Sequence, residues 1–404
     1  MPRFRLATGL VALVALAACT DASRDPTASD AANVRSSRAG GAAADRVTAS
    51  ALWNLRTRAI IGRRGGNSNA AARTYALVSV AQYDAVIAAE EAKDRGLHPS
   101  EAGASAAASA AVLASLYPAE QSFLNDELAS DAEYFPTLPS ERDADYAAGV
   151  AVGQAVGAAV AAYAATDGSK LAWTGTVPVG PGYWRPTGAP QDANWGAVRP
   201  WTMTSGDEFR SAPPPEFGVS PQYVADLAEV HALSDAPTAD QLRIAKFWAT
   251  EYGAGGPAGY FGALAVDLAG RQHLDERRAS RMLAVLHTAI MDASIGCYDA
   301  KYWYWYIRPY QADATVKTWV TRPNFPSYPS AHSCLSGAAG GVLAGFFPFA
   351  SEELAAMVAE AGVSRIYAGL HFRFDVTAGR ELGDAVAAQA LRLAPKGHRA
   401  IPLD

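Results

Sequence analysis

The chain has 404 residues, of which 50% are hydrophobic and 18% are charged, a composition that excludes wholesale disorder. Three cysteines exclude a disulfide-rich scaffold and a zinc site with four thiolates. The 34 Lys and Arg residues against 40 Asp and Glu residues give a net charge of -6, which argues against a nucleic-acid binder held by bulk charge.

Residues 1–18 have the pattern of a secretory signal peptide. Arg3 and Arg5 supply a short positive region, and the apolar core at residues 10–15 is too short to cross a bilayer. The segment ends in Leu-Ala-Ala-Cys, which resembles the bacterial lipobox and predicts that Cys19 is lipidated. The alternative is an ordinary signal peptide followed by a chance cysteine.

The segment after the signal peptide has no apolar periodicity. Residues 19–46 are rich in Ala, Ser, Asp, Arg and Gly, which predicts a flexible tether. No later run of 18 apolar residues is evident, so we expect membrane contact through the lipid anchor alone. The expected location is extracytoplasmic, on the periplasmic or cell-surface face of a bacterial membrane.

Helical periodicity dominates from Val47 onward, because apolar residues recur at three- and four-residue spacing. This periodicity predicts helices at residues 74–91, 101–117, 119–133, 140–166, 238–251, 260–269, 276–300, 330–347, 351–362 and 376–393. Alternating strand patterns are almost absent. The predicted fold class is all-α, a large multi-helix bundle that forms one domain over residues 47–404. That domain is expected to combine an N-terminal helical half at 47–284 with an anion-binding part at 285–392.

Residues 167–222 interrupt the helical pattern with many Pro and Gly residues. The segment also contains four tryptophans, Trp173, Trp184, Trp195 and Trp201, whereas a disordered linker would be poor in aromatic residues. We therefore expect an ordered insertion that lies over the bundle and could act as a lid.

The first candidate anion-binding block contains Lys301 and Arg308. The two residues are seven positions apart, close to two helical turns, so on one helix they would point the same way. The aromatic run between them has strand propensity, but a strong helical pattern runs directly into it and favours a helix that ends near Pro309. Taken alone, such a pair is more typical of a solvated helix face.

The second block is Pro-Ser-Ala-His at residues 329–332, followed by a helix of small residues. Ser330 is well placed to cap that helix, and the backbone N–H groups after it would form an anion site. His332 would lie in the first turn, beside the anion. A capped helix with a histidine has no specific meaning in isolation.

The third block contains Arg365, His371 and Asp375. The last two are four residues apart, a spacing that allows a carboxylate to hold an imidazole N–H. That contact would fix the tautomer and leave the other ring nitrogen as a nucleophile or ligand. The alternative for Asp375 is a simple surface carboxylate.

The order of these three blocks, K-x6-R-P, P-S-x-H and S-R-x5-H-x3-D, resembles the signature of a known superfamily. It is that of the type 2 phosphatidic acid phosphatases and vanadium-dependent haloperoxidases. The resemblance is close over residues 285–392. The segments YDAV, PGYWRPTGAP and FPSYP are similar to those of the bacterial haloperoxidase-like branch.

The resemblance implies a role for each block residue. Five of them would hold the oxygens of vanadate or phosphate: Lys301, Arg308, Ser330, Ala331 through its N–H, and Arg365. His371 would bond to vanadium or phosphorus, with Asp375 orienting it, and His332 would be the acid–base group. Phe325 would form an apolar wall of the pocket. The superfamily usually has Gly where this chain has Ala331, whose methyl group could crowd the pocket.

Three functions are compatible with these residues. The first is a haloperoxidase with a vanadate cofactor that uses hydrogen peroxide to oxidise a halide. The second is an acid phosphomonoesterase that acts through a phosphohistidine at His371. The third is a surface lipoprotein that binds anions without turnover, although pure binding would not need both His332 and His371.

Four further residues lie close to the blocks in sequence. Cys297 and Cys334 flank the first two blocks, and an extracytoplasmic compartment would permit a disulfide between them; two buried free thiols are the alternative. Asp292 and Asp299 are expected either to support the site as carboxylates or to pack on a helix surface.

Overall fold

The computed structural model describes residues 47–137, 142–250, 255–395, 397 and 400. The expected signal peptide, Cys19 and the expected tether lie outside these residues. Within them the chain forms thirteen α-helices and short 3₁₀ turns without a strand, which confirms the all-α prediction. The described residues all belong to one compact unit.

The α-helices follow the predicted order. In chain order they are α1 (Ala49–Arg64), α2 (Ser68–Lys93), α3 (Glu101–Leu116), α4 (Gln121–Tyr134), α5 (Asp143–Ala165), α6 (Pro221–Asp235), α7 (Ala239–Thr250), α8 (Pro257–Arg271), α9 (Glu276–Tyr304), α10 (Pro309–Ala312), α11 (Ala331–Phe346), α12 (Ser351–Tyr367) and α13 (Arg373–Leu393). All ten predicted helices are present. The sequence analysis did not separate α1 from its surroundings and missed α6 and the short α10.

Polar caps explain where several of these helices begin. The side chains of Thr48, Asn67, Ser100 and Asp275 each accept a backbone N–H from the first turn of α1, α2, α3 and α9 respectively. Each contact satisfies a donor that has no partner inside the helix. The caps therefore fix helix starts that apolar periodicity alone leaves uncertain.

Helix α5 corrects one expectation from the sequence. Its residues 144–165 are long and apolar enough to cross a bilayer, although no such run was expected after the signal peptide. In the structure one side of α5 lies on α3. A Cβ atom at Gly153 would come within 2.1 Å of the Ala104 carbonyl oxygen, and glycines at 149 and 157 make similarly close approaches. This face of α5 is thus a helix-packing face of the bundle.

The longest helix, α9, organises the part of the bundle that carries the three blocks. Nearly all of its residues from Ala279 to Lys301 are buried, and it packs against α2, α11 and α13. Helices α12 and α13 pack on the other sides of α11. The C-terminal end of α9, the N-terminal end of α11 and the turn between α12 and α13 therefore come together.

The insertion is ordered, as predicted, and it is anchored to α9. The Asp292 carboxylate accepts the backbone N–H groups of Trp201 at 2.8 Å and Thr202 at 2.7 Å, and burial raises the pKa of Asp292 to about 6. Arg210 forms an ion pair with Asp299 at 2.6 Å. Asp292 and Asp299 of α9 thus hold the insertion in place.

The end of α9 differs from the prediction. The helix stops at Tyr304, and Trp305 adopts a left-handed conformation with φ of 51°. Tyr306 then forms an isolated bridge with Tyr183 of the insertion. The expectation that Lys301 and Arg308 share one helical face is therefore wrong, because the chain turns between them.

Candidate active site

A pocket of about 660 Å³ lies where the three blocks meet. Five residues singled out from the sequence line it: Phe325, Ala331, His332, Arg365 and His371. The other four, Lys301, Arg308, Ser330 and Asp375, are fully buried and bonded to the same segments. The structure thus gathers residues from all three blocks around one cavity.

The centre of the site is the pair of His371 and Asp375 at the start of α13. Asp375 Oδ2 lies 2.9 Å from His371 Nδ1 and also accepts the Ser327 hydroxyl at 2.5 Å and the Phe372 N–H at 3.1 Å. The Nδ1–H group therefore donates a hydrogen bond to the carboxylate. Nδ1 keeps its proton, and Nε2 is the basic nitrogen. Arg308 Nη1 donates to Nε2 at 2.9 Å.

Burial and charge keep the imidazole of His371 neutral. Burial, followed by the nearby positive charges of Arg308 and Lys301, holds the pKa of His371 well below its usual range. Burial also raises the pKa of Asp375 to about 7, even though hydrogen bonds and these two cations favour its charged form. A neutral imidazole is the form that can act as a nucleophile or ligand.

The two cations of the first block are held mainly by main-chain carbonyl groups. Lys301 Nζ donates to the carbonyls of residues 326, 327 and 329, and burial lowers the pKa of Lys301 to about 8. Arg308 donates to the carbonyls of Phe325 and Leu370. Both side chains therefore brace the second and third blocks as well as supplying positive charge near the pocket.

Phe325 connects these cations to the pocket wall. Its ring centroid lies 5.2 Å from Lys301 Nζ and 5.1 Å from the Arg308 guanidinium carbon. Such contacts attract a cation to the ring face. The ring thus gives the pocket an apolar surface and covers two buried charges at the same time.

The N-terminal end of α11 agrees with the prediction in part: Ser330 occupies the N-cap position, but its side chain makes no capping hydrogen bond. Ser330 precedes the helix, and its hydroxyl oxygen is buried with no hydrogen-bond partner among the described residues. Ala331 is the first helical residue and does not belong to the described non-glycine residues with positive φ. Ala331 in place of Gly therefore causes no backbone strain, and the residue lines the pocket.

Helix α7 contributes to the site in a way that the sequence analysis missed. The Trp248 carbonyl lies 3.1 Å from His332 Nε2, and the Ala245 carbonyl accepts Arg365 Nη2 at 2.7 Å. Burial, together with the charge of Arg365, holds the pKa of His332 well below its usual range. Every residue has a backbone carbonyl, so no sequence signal could have identified these two contacts.

Ser327 is a second contributor that the sequence analysis did not identify. Its hydroxyl binds Asp375, and its own N–H donates to the Tyr306 carbonyl at 2.9 Å. The Pro-Ser-Tyr-Pro pattern at residues 326–329 contained the signal, but only the fold shows which carboxylate this serine reaches.

Cys297 and Cys334 lie directly behind the site. Both thiols are fully buried and are not bridged to each other in the structure. Cys297 Sγ lies 3.8 Å from the Pro329 carbonyl, and the Cys334 N–H donates to the Ser330 carbonyl at 3.0 Å. The thiols therefore pack against the segment that precedes α11.

Residues 282–399 match the family model of the PAP2 superfamily. The fold is similar to that of the first bacterial vanadium-dependent iodoperoxidase, with a TM-score of 0.73 and 22% identity over 86% of this chain and 97% of that chain. It is also similar to a bacterial vanadium-dependent chloroperoxidase in its apo form (TM-score 0.65) and its holo form (TM-score 0.64). Both forms are 13% identical and match 80% of this chain, over 92% and 90% of their own chains.

No curated protein matches the chain in sequence. The superfamily match covers all three blocks, and the structural similarity extends over most of the N-terminal helical half as well. Residues 282–399 are therefore similar to the PAP2 superfamily, and the helical body has the same fold as the bacterial vanadium-dependent haloperoxidases.

Proposed function

We propose that this protein is a vanadium-dependent haloperoxidase that uses hydrogen peroxide to oxidise a halide. The observation that carries the proposal is the state of His371, which lines the pocket as a neutral imidazole whose Nδ1 is fixed by Asp375 and whose basic nitrogen is Nε2. The structural similarity to the iodoperoxidase over 86% of this chain, and to the chloroperoxidase over 80% of it, supports the same function.

The residues around the pocket fit a bound vanadate. Arg365, Arg308 and Lys301 supply positive charge, the N-terminal end of α11 supplies N–H groups, and the Ser330 hydroxyl is buried without a partner among the described residues. His371 Nε2 would be the direct ligand. When bound, vanadate would activate peroxide for two-electron oxidation of a halide.

The protein groups would then bind, orient and move protons. Asp375 keeps the His371 proton on Nδ1, so that the lone pair stays on Nε2. In the structure this lone pair accepts Arg308 Nη1, a contact that a bound oxyanion would replace. The contact between His332 Nε2 and the Trp248 carbonyl places a proton on Nε2 and makes Nδ1 the basic nitrogen. His332 is neutral because of burial, so it can accept a proton and return it without a large cost in charge separation.

A phosphomonoesterase is the second candidate, because phosphate and vanadate require the same donors. In that reaction His371 Nε2 would attack phosphorus, and His332 would protonate the leaving alcohol. The PAP2 match supports this candidate as well. We also propose, on the sequence of residues 1–19 alone, that the enzyme acts outside the cytoplasm on a lipid anchor at Cys19.

The effect of vanadate separates the two reactions. We expect that apo-protein incubated with orthovanadate gains peroxide-dependent bromide oxidation, because bromide is easier to oxidise than chloride. We expect at most slow hydrolysis of p-nitrophenyl phosphate without vanadate, and its loss when vanadate is added. Rapid phosphate-ester turnover with no bromide oxidation at any vanadate concentration would favour the phosphatase instead.

A further inference from the structure

The residues that line the pocket have an unusual charge balance. None of the sixteen lining residues found in the described chain is Asp or Glu, whereas three are Lys or Arg and two are His. The protein as a whole carries a net charge of -6. A cleft that carries only positive charge in an acidic protein focuses its field on approaching anions.

Two of the pocket cations, Lys246 and Arg322, belong to none of the three blocks. Lys246 lies on α7, and Arg322 lies in the segment before α11. Both are exposed, whereas His332, His371 and Arg365 are buried, so they form the open end of the pocket, which we call its mouth.

Neither mouth cation is neutralised by a carboxylate within the residues that the structure describes. Lys246 is exposed and forms no ion pair with the described residues. Arg322 is held by other means: its guanidinium carbon lies 4.6 Å from the centroid of the Tyr310 ring, and its Nε donates to the Thr318 hydroxyl at 3.1 Å. Its charge is therefore positioned without being compensated.

We propose that Lys246 and Arg322 capture small inorganic anions at the mouth and speed their entry to the buried site. The class of anion, a halide and an oxyanion such as vanadate, rests on the proposed function. Hydrogen peroxide is neutral and would gain nothing from these charges. The two residues therefore set the rate at which anions associate and take no part in the chemical step.

The neighbouring Arg243 provides a matched comparison. It lies on α7 three residues before Lys246, is 68% exposed and pairs with Asp240 at 3.5 Å. It does not line this pocket; it borders a neighbouring surface hollow that Lys246 also lines. Replacing Arg243 removes the same unit of charge from the same helix without changing the mouth.

The test measures orthovanadate association with apo-protein by stopped-flow tryptophan fluorescence. The variants are Lys246→Gln, Arg322→Gln, the double variant, and Arg243→Gln as the control. At low ionic strength we expect the double variant to associate roughly 3- to 10-fold more slowly, with dissociation changed less. In about 0.5 M salt, where the Debye length is only a few ångströms, the difference should disappear.

Bromide kinetics give a second readout on vanadate-loaded protein. The double variant should raise the KM for bromide and leave the KM for peroxide and kcat unchanged. An association rate in the double variant equal to that of the wild type, or an equal loss in Arg243→Gln, would overturn the proposal. A failure of bromide oxidation would contradict the proposed function. The association rates would still test the capture of anions, because vanadate association needs no turnover.

Discussion

At the scale of single residues, the pair of His371 and Asp375 makes the clearest prediction. His371→Ala removes the basic Nε2, so vanadate-dependent or phosphate-dependent activity should be abolished while the fold survives. Asp375→Asn still allows a hydrogen bond but cannot enforce the Nδ1 proton, so activity should fall by about 10- to 100-fold. Initial rates and far-ultraviolet circular dichroism of both variants provide the check. Wild-type turnover in His371→Ala would show that another group binds the oxyanion.

The sequence predicted the identity of the block residues far better than their contacts. Motif order was sufficient to select Arg365, His371 and Asp375, because their chemistry depends on side chains that the sequence shows. It could not show that Arg308 donates to His371 Nε2, since that contact requires the turn after Tyr304. Nor could it show that carbonyls of α7 hold His332 and Arg365.

At the scale of helices, α9 and α11 carry one cysteine each, and we predict that they can be linked there. Cys297 lies one turn before Lys301, and Cys334 lies in the first turn of α11 beside Ser330. A bridge would fasten the first block to the second. Protein in which Cys19 is lipidated, purified without reductant, denatured and treated with a thiol reagent, should show no reactive thiol, and two after reduction. Two reactive thiols before reduction would contradict the bridge. In that case the Cys297→Ala variant should show one reactive thiol.

The accuracy with which the sequence predicts a helix end depends on what fixes that end. Ends set by local chemistry, such as the start of α9 at the Asp275 cap, lie where the sequence placed them. The other end of α9 depends on long-range contacts: Trp305 stops the helix with its ring 5.8 Å from Trp173 and 6.2 Å from Trp184, both in the insertion. Periodicity cannot detect a helix end that distant residues impose, so the sequence predicts a helix that continues as far as Arg308.

At the scale of the whole molecule, the half-buried Glu276 and the buried Asp292 and Asp375 join distant segments of the chain. Glu276 at the start of α9 accepts the N–H groups of Ala49 at 2.6 Å and Ser50 at 2.8 Å at the start of α1. Asp292 holds the insertion, and Asp375 holds the site. Overall helix content follows from periodicity, but these connections are made to backbone groups and are therefore visible only in the fold.

Such carboxylates should make stability depend on pH, and Glu276 offers the sharpest test. Burial raises the pKa of Glu276 from 4.5 to about 7, although its two backbone hydrogen bonds act in the opposite direction. The folded protein therefore holds the proton more tightly than the unfolded chain. Stability from this group is fully present below pH 4.5 and is lost as the pH rises towards and through about 7.

Glu276→Gln should remove this contribution, which is at most about 3 kcal/mol between pH 4.5 and 7. Urea unfolding at several pH values should therefore show a smaller fall in the free energy of unfolding for the variant than for the wild type. Asp292 and Asp375 have raised pKa values of the same sign, so part of the dependence should remain. Glu352→Gln is the control, because that glutamate is exposed in the first turn of α12 and should leave the slope unchanged. An identical pH slope in Glu276→Gln and the wild type would show that Glu276 remains charged in the folded protein, with its two N–H partners outweighing its burial.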